Sequence, residues 1–191
     1  MSIVLIFNKI RKNGATRLVK IYTERAISRF RGFLFGIVNS KPRFPAGLRV
    51  GRGVRSTARF IEIGDYVTIG PMCSFGGLGK VMLSKNVVLN RNVHIDASDL
   101  VHIGKNTLIG PDCYLVDSNH IFKKDATLIS SNTVSAPIII KDDVWLGRNV
   151  TVLPGTTIGR NVAVAACAVV TKSIPSNSIA KGIPAKFSVL K

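Results

Sequence analysis

The stretch from Ile61 to His120 is one 20-residue pattern written three times: IEIGDYVTIGPMCSFGGLGK at 61–80, VMLSKNVVLNRNVHIDASDL at 81–100 and VHIGKNTLIGPDCYLVDSNH at 101–120. In register, Ile61, Val81 and Val101 coincide, as do Ile63, Leu83 and Ile103; Val67, Val87 and Thr107; Ile69, Leu89 and Ile109; Cys73, Val93 and Cys113; and Phe75, Ile95 and Leu115. Self-similarity at a fixed period predicts a solenoid, in which each repeat buries its apolar face only against its neighbours.

Within a copy the apolar residues recur every six positions, as Ile63, Ile69 and Phe75, with two residues left over for a widened corner. Beyond a break at 121–137 the strict hexad resumes: Ile140, Leu146, Val152, Ile158, Val164 and Val170. Each is followed four residues later by Val144, Val150, Thr156, Val162, Ala168 or Ile174. A helical period of 3.6 would put every sixth residue on opposite faces, whereas three short flat strands per coil bring it back to the same place inside a triangular prism. Corner duty, with tight or left-handed backbone, falls to Gly64, Gly104, Gly110, Gly147, Gly155 and Gly159 and to Asn86, Asn92, Asn106, Asn149 and Asn161.

The run from Ile140 to Gly159 (IKDDVWLGRNVTVLPGTTIG), the closing VTKSIPSNS at 170–178 and GIPAK at 182–186 resemble the hexapeptide-repeat acyltransferases. Within these, the likeness is to the galactoside, maltose and polysaccharide O-acetyltransferases, and it covers residues 49 to 188. The resemblance implies a left-handed parallel β-helix, an exception to the right-handed crossover rule, assembled as a homotrimer with acetyl coenzyme A bound between subunits. The organisation expected is a basic helical segment over residues 1–48 and a β-helix domain over 49–191, with an external loop at 121–137.

Charge is unevenly shared. Of the formal +17, residues 1–60 hold +13, from 14 Lys or Arg against Glu24 alone. Such asymmetry predicts contact with something anionic: a membrane surface, a nucleic acid or a phosphorylated substrate. The basic residues are interleaved with apolar ones from Ile3 to Val38, which reads as two amphipathic helices, Ile3 to Lys12 and Thr16 to Val38, ended by Pro42 and Pro45. Lys9, Arg11, Lys12, Arg29 and Arg31 interrupt any span of about 20 apolar residues, the length needed to cross a bilayer. Two roles fit residues 1–38: peripheral attachment to the inner face of the cytoplasmic membrane, or a cap over the open end of the solenoid. Nucleic acid is disfavoured, because no reading motif is present and stacking aromatics are few. Cys73, Cys113 and Cys167, with no secretion signal, point to a reducing cytoplasm. Cys73 and Cys113 share one interior position two coils apart, beyond disulfide reach.

Acyl transfer to an alcohol needs a base, since a hydroxyl attacks a thioester slowly until its proton is removed, and imidazole suits that role at neutral pH. His120, just before the pattern breaks, is the candidate, and the resemblance gives the matching His this role, with direct attack on acetyl coenzyme A. Asp117 is expected to orient that imidazole or contact the acceptor; a solvated corner carboxylate is the plainer reading. The resemblance assigns Asn90, otherwise a corner residue like Asn86, to the acceptor, a sugar or lipid-linked sugar of a cell-envelope precursor, with a free sugar, an amino sugar or a small xenobiotic as the alternative. To the coenzyme it assigns Trp145 near the pantetheine or the acetyl end, the backbone N–H of Arg148, just after Gly147, at the thioester oxyanion, Ala166 at the pantetheine, and Thr171, Lys172 and Lys186 at the phosphates. One departure stands out: Ala165-Ala166-Cys167 replaces the Gly-Ala-Gly frequent in relatives, adding side chains at the pantetheine groove. His94 and His102 raise the γ-class carbonic anhydrases, which share this solenoid and bind zinc through three His. No His follows His120, so that triad cannot be completed, and no metal is expected.

Overall fold

The computed structural model describes residues 26–31, 45–121 and 132–190, and the strands from Arg49 onward build a parallel β-helix of left-handed coils. Three sheets make the faces of the prism. The first holds β1 (Arg49–Val50), β4 (Thr68–Ile69), β7 (Val88–Leu89), β10 (Leu108–Ile109), β15 (Trp145–Leu146), β18 (Val162–Val164), β20 (Ser178–Lys181) and β21 (Lys186–Val189). The second holds β2 (Arg55–Ser56), β5 (Ser74–Gly76), β8 (His94–Asp96), β11 (Tyr114–Val116), β16 (Thr151–Val152) and β19 (Val169–Val170). The third holds β3 (Phe60–Ile63), β6 (Lys80–Leu83), β9 (Leu100–Ile103), β14 (Ile138–Ile140) and β17 (Thr157–Ile158). Neighbours within a face are parallel until β21 turns back antiparallel on β20 and ends the ladder.

The repeat register is the strand register. Ile61 pairs with Val81 and Val81 with Val101, while Ile69, Leu89 and Ile109 stack on the first face, and Phe75, Ile95 and Leu115 on the second. Every residue in these columns is buried, as are Ile140, Leu146, Val152, Ile158, Val164 and Val170 in the strict hexad. Each large aliphatic side chain so enclosed contributes about 1.5–3 kcal/mol, which lets strands of two to four residues hold without long runs of backbone pairing. Thr107 interrupts an otherwise aliphatic column, and its hydroxyl is satisfied there. It donates to the Lys141 carbonyl at 3.2 Å and accepts the Val144 N–H at 3.3 Å.

Two corners place residues other than glycine in left-handed backbone. Asn86, Asn92, Asn106, Asn149 and Asn161 all have φ between 54° and 62°, joined by Asn177, Asp112, Asp143, Tyr66, Met72 and Cys167. Their side chains run as ladders along the prism edges: Asn86 donates to Asn106 and Asn106 to Asp143, both at 3.0 Å, and Asn92 donates to Asp112 at 3.1 Å. The glycine expectation needs correction. Of those six, only Gly155 has positive φ (75°). The others are required by close approach, since a Cβ on Gly110 would lie 2.5 Å from the Gly147 carbonyl oxygen and one on Gly147 would lie 2.7 Å from the Ala166 nitrogen.

Residues 26–31 are helical, and the Ser28 hydroxyl donates to the Val50 carbonyl at 3.1 Å, on the edge strand of the first coil. The expected helix from Ile3 to Lys12, and the rest of that from Thr16 to Val38, lie outside the described residues. No helix among the described residues is long and apolar enough to cross a membrane.

Candidate active site

The coil that starts at β10 leaves the prism after β11. Val116 is followed by β12 (Ser118–His120), which pairs antiparallel with β13 (Thr133–Ser135), His120 lying opposite Thr133. The excursion is therefore a two-stranded arm that begins at Ser118, three residues earlier than the sequence pattern indicates; residues 122–131 of the expected loop lie outside the described residues. At the far end of the arm the coil resumes in register, Ile138 opposite Val101. His120 sits on the arm and is exposed, instead of filling the last place of a coil.

His120 opens onto a cleft of about 420 Å3 lined by Asp96, Ser98, Tyr114, Val116, Ser118, Asn119 and Thr133. The second face supplies Asp96 and Tyr114 from adjacent strands, the phenol donating to Asp96 Oδ2 at 3.3 Å. Burial, and then the Asp96 charge beside it, push the Tyr114 phenol above its ordinary pKa. Asp117 does not line the cleft. It is fully buried, which overturns the solvated-corner reading, and its two carboxylate oxygens accept the N–H groups of Ser98 (2.7 Å) and Asp99 (2.9 Å). Its own carbonyl accepts the N–H of Ala136, so one residue ties the corner of the preceding coil to both ends of the arm.

The remaining candidates lie on two edges and the first face of the prism. Thr171 and Lys172 follow β19 on the edge between second and third faces, exposed, two coils beyond the corner from which the His120 arm leaves. Asn90, Gly147, Arg148 and Ala166 lie on the edge between first and second faces. Trp145 points outward from the first face, 58% exposed, and Lys186 is exposed on β21. Within one chain the structure joins Asn90 and the Arg148 group to each other's edge and not to His120. Asn90 Oδ1 turns back to the Arg91 N–H at 2.8 Å, while the Arg148 side chain reaches Asp112 at 2.9 Å. At the Ala165-Ala166-Cys167 departure all three residues are exposed, and Cys167 holds a left-handed φ of 61° with its N–H on the Arg148 carbonyl at 2.8 Å.

His94 and His102 are committed elsewhere. His94 Nδ1 is 2.6 Å from the Ser74 hydroxyl and Nε2 is 3.1 Å from Asn92 Oδ1; His102 Nε2 is 3.1 Å from the Ser84 hydroxyl. Burial, with Lys141 close by, keeps His102 below the usual imidazole pKa. Sequence reasoning missed Asp96, Ser98 and Tyr114. The signal was available in the repeat register: one coil back from Val116 to Asn119 lie Asp96 to Asp99, so outward residues there must flank whatever leaves the next corner.

Residues 137–172 match the family model "Bacterial transferase hexapeptide (six repeats)". The chain is 42% identical over 137 residues to "Putative lipopolysaccharide biosynthesis O-acetyl transferase WbbJ" of Escherichia coli K12, a match covering 66% of this chain and 70% of that protein. It is 32% identical over 127 residues to the galactoside O-acetyltransferase of the same organism, covering 66% of this chain and 62% of that one. Among solved structures, a hexapeptide-repeat acetyltransferase of Vibrio cholerae complexed with acetyl coenzyme A aligns with a TM-score of 0.54 at 27% identity, over 76% of this chain and 72% of that chain. The N-acyltransferase AntD of Bacillus cereus aligns at 0.73 over 86% of this chain and 88% of that chain, and at 18% identity it shows a shared fold. A prism of hexapeptide coils is the frame of a coenzyme A-dependent acyltransferase. The chain belongs to the hexapeptide-repeat acetyltransferase family.

Proposed function

We propose that this protein moves an acetyl group from acetyl coenzyme A to a sugar hydroxyl of a cell-envelope polysaccharide precursor, with His120 as general base. The observation that carries this reading is the exposed His120 imidazole on a cleft whose other polar groups, Asp96, Ser98, Ser118 and Asn119, suit hydroxyl recognition. The imidazole takes the hydroxyl proton as the oxygen attacks the thioester carbonyl. The tetrahedral intermediate then collapses, the C–S bond breaks, and the imidazolium returns the proton to the departing thiolate. The Arg148 N–H is the proposed oxyanion donor, Trp145, Gly147 and Ala166 the groove for the pantetheine, and Thr171, Lys172 and Lys186 the phosphate contacts.

The same assignment requires a second copy of the chain. Asn90 and Arg148 lie on one edge of the prism and His120 and Lys172 on another, so these groups meet when the edge of one solenoid faces the next edge of its neighbour. That geometry supports the homotrimer with the coenzyme between subunits. For the basic segment, the bond from Ser28 to Val50 favours the capping role; the charge of residues 1–60 supports, in addition, contact with an anionic membrane face bearing a lipid-linked acceptor. The alternative is a free sugar, amino sugar or small alcohol, with the segment as a cap alone.

The test is thiol release from acetyl coenzyme A across free and lipid-linked sugars, with wild type and His120→Ala side by side. Acceptor-dependent release that the substitution abolishes is the expected result. Undiminished release by His120→Ala would remove the general-base assignment.

A further inference from the structure

The cleft that His120 shares is lined by a carboxylate, a phenol and small hydroxyls, a set suited to hydrogen-bond donors. Asp96 and Tyr114 stand on adjacent strands of the second face and are bonded to each other through Asp96 Oδ2. The other oxygen, Oδ1, lies against Gly76, where any Cβ would collide with it, so the glycine leaves room for the carboxylate to sit on the strand surface. Tyr114, 38% exposed, and Val116 supply an apolar wall, and Ser98 and Ser118 the remaining polar rim. A half-buried carboxylate that accepts from a phenol presents its remaining lone pairs to hydrogen-bond donors and repels an anion set beside it.

We infer that Asp96 and Tyr114 form the acceptor subsite of this cleft and make it specific for a neutral hexopyranosyl unit with a free hydroxyl pair beside the one that reacts. The carboxylate accepts from the two neighbouring hydroxyls. Tyr114 and Val116 meet the C–H face of the ring, which is the usual division of labour when a polar group has an apolar flank. A sugar bearing its own carboxylate, as a uronic acid does, meets Asp96 as a like charge and is turned away. Asp117 is a positioning residue for this subsite, because its carboxylate fixes the corner that carries Ser98. This inference rests on the acetyl-transfer reading of the cleft and adds the class of acceptor.

Binding is measured by NMR saturation transfer and titration on the full chain with coenzyme A present. The probes are methyl α-D-glucopyranoside, methyl β-D-galactopyranoside, methyl α-D-mannopyranoside and the corresponding methyl glucuronide. At least one neutral glycoside should bind wild type and the glucuronide should not. Asp96→Asn, an isosteric change, should weaken the neutral glycoside by about tenfold or more and admit the glucuronide, a gain that a merely structural carboxylate would not produce. Tyr114→Phe should weaken the neutral glycoside by a smaller factor. Unchanged affinity in Asp96→Asn, tighter binding of the glucuronide than of the neutral sugars by wild type, or no binding of any neutral glycoside would overturn the inference. His120→Ala separates the two readings: it should lose transfer and keep sugar binding, and if it keeps both, the general-base reading fails while the subsite stands.

Discussion

At the scale of single residues, Tyr114 and Asp117 show how one cleft is both tuned and held. Burial and Asp96 raise the Tyr114 phenol, so the folded protein holds that proton more tightly than the unfolded chain does. The stabilisation is fully present below the ordinary tyrosine value near pH 10 and is lost as pH rises through the raised one. Asp96→Asn removes the second cause and leaves burial; tyrosine-selective NMR titration should show the Tyr114 pKa fall towards, without reaching, the ordinary value. Asp117→Ala leaves two backbone N–H groups without their carboxylate, and urea unfolding should register a loss of about 2–4 kcal/mol. Asp117→Asn, which retains one acceptor, should lose less. If the alanine variant unfolds at the wild-type midpoint, the carboxylate is not what holds that corner.

At the scale of the coil, much was legible in the chain because side-chain period and strand register are the same quantity here. The columns from Ile61 to Val101 and from Ile69 to Ile109 follow directly from the 20-residue pattern. What could not be read was the cause behind each glycine, since close approach between coils leaves the same letter as a left-handed turn. Nor could the arm be read, because Ser118 to His120 carries no alternation that marks it as antiparallel. The left-handed asparagines were legible, and they offer a test of what they do. Asn106→Gly loses the ladder to Asn86 and Asp143, whereas Asn106→Ala loses it and strains a φ of 57°. The alanine variant should be the less stable by about 1–2 kcal/mol in chemical unfolding; equal stabilities would show that the backbone relaxes there. The cysteines divide as their places in the coil dictate. Cys73 and Cys113 are buried, burial pushing the Cys113 thiol up to about 11, and Cys167 is exposed. A thiol reagent at pH 8 should modify Cys167 alone in the folded protein and all three after unfolding, read by mass spectrometry.

At the scale of the whole molecule, the proposed trimer should appear in light scattering as three times the 20.6 kDa chain. Arg148→Glu keeps the backbone N–H but replaces the ion pair to Asp112 with two carboxylates on the edge the proposed interface uses, so light scattering should show fewer trimers and transfer should fall. An unchanged trimer with unchanged transfer would remove that edge from the interface. The charge of residues 1–60 predicts flotation with phosphatidylglycerol vesicles that weakens with salt, as exposed charges are screened over about 10 Å at 0.1 M, and that disappears in a chain starting at residue 45. Equal flotation by both chains would leave capping as that segment's role. The arm carries a consequence for how such a protein can vary. Ile138 finds Val101 after the excursion as though nothing had intervened, because the next rung is specified by the rung beneath it and not by the length of chain between them. Insertions and deletions inside that excursion are therefore close to invisible to folding, the closure term growing only with the logarithm of loop length. Lineages can redraw the mouth of the cleft by changing the arm while the staircase beneath is inherited unchanged.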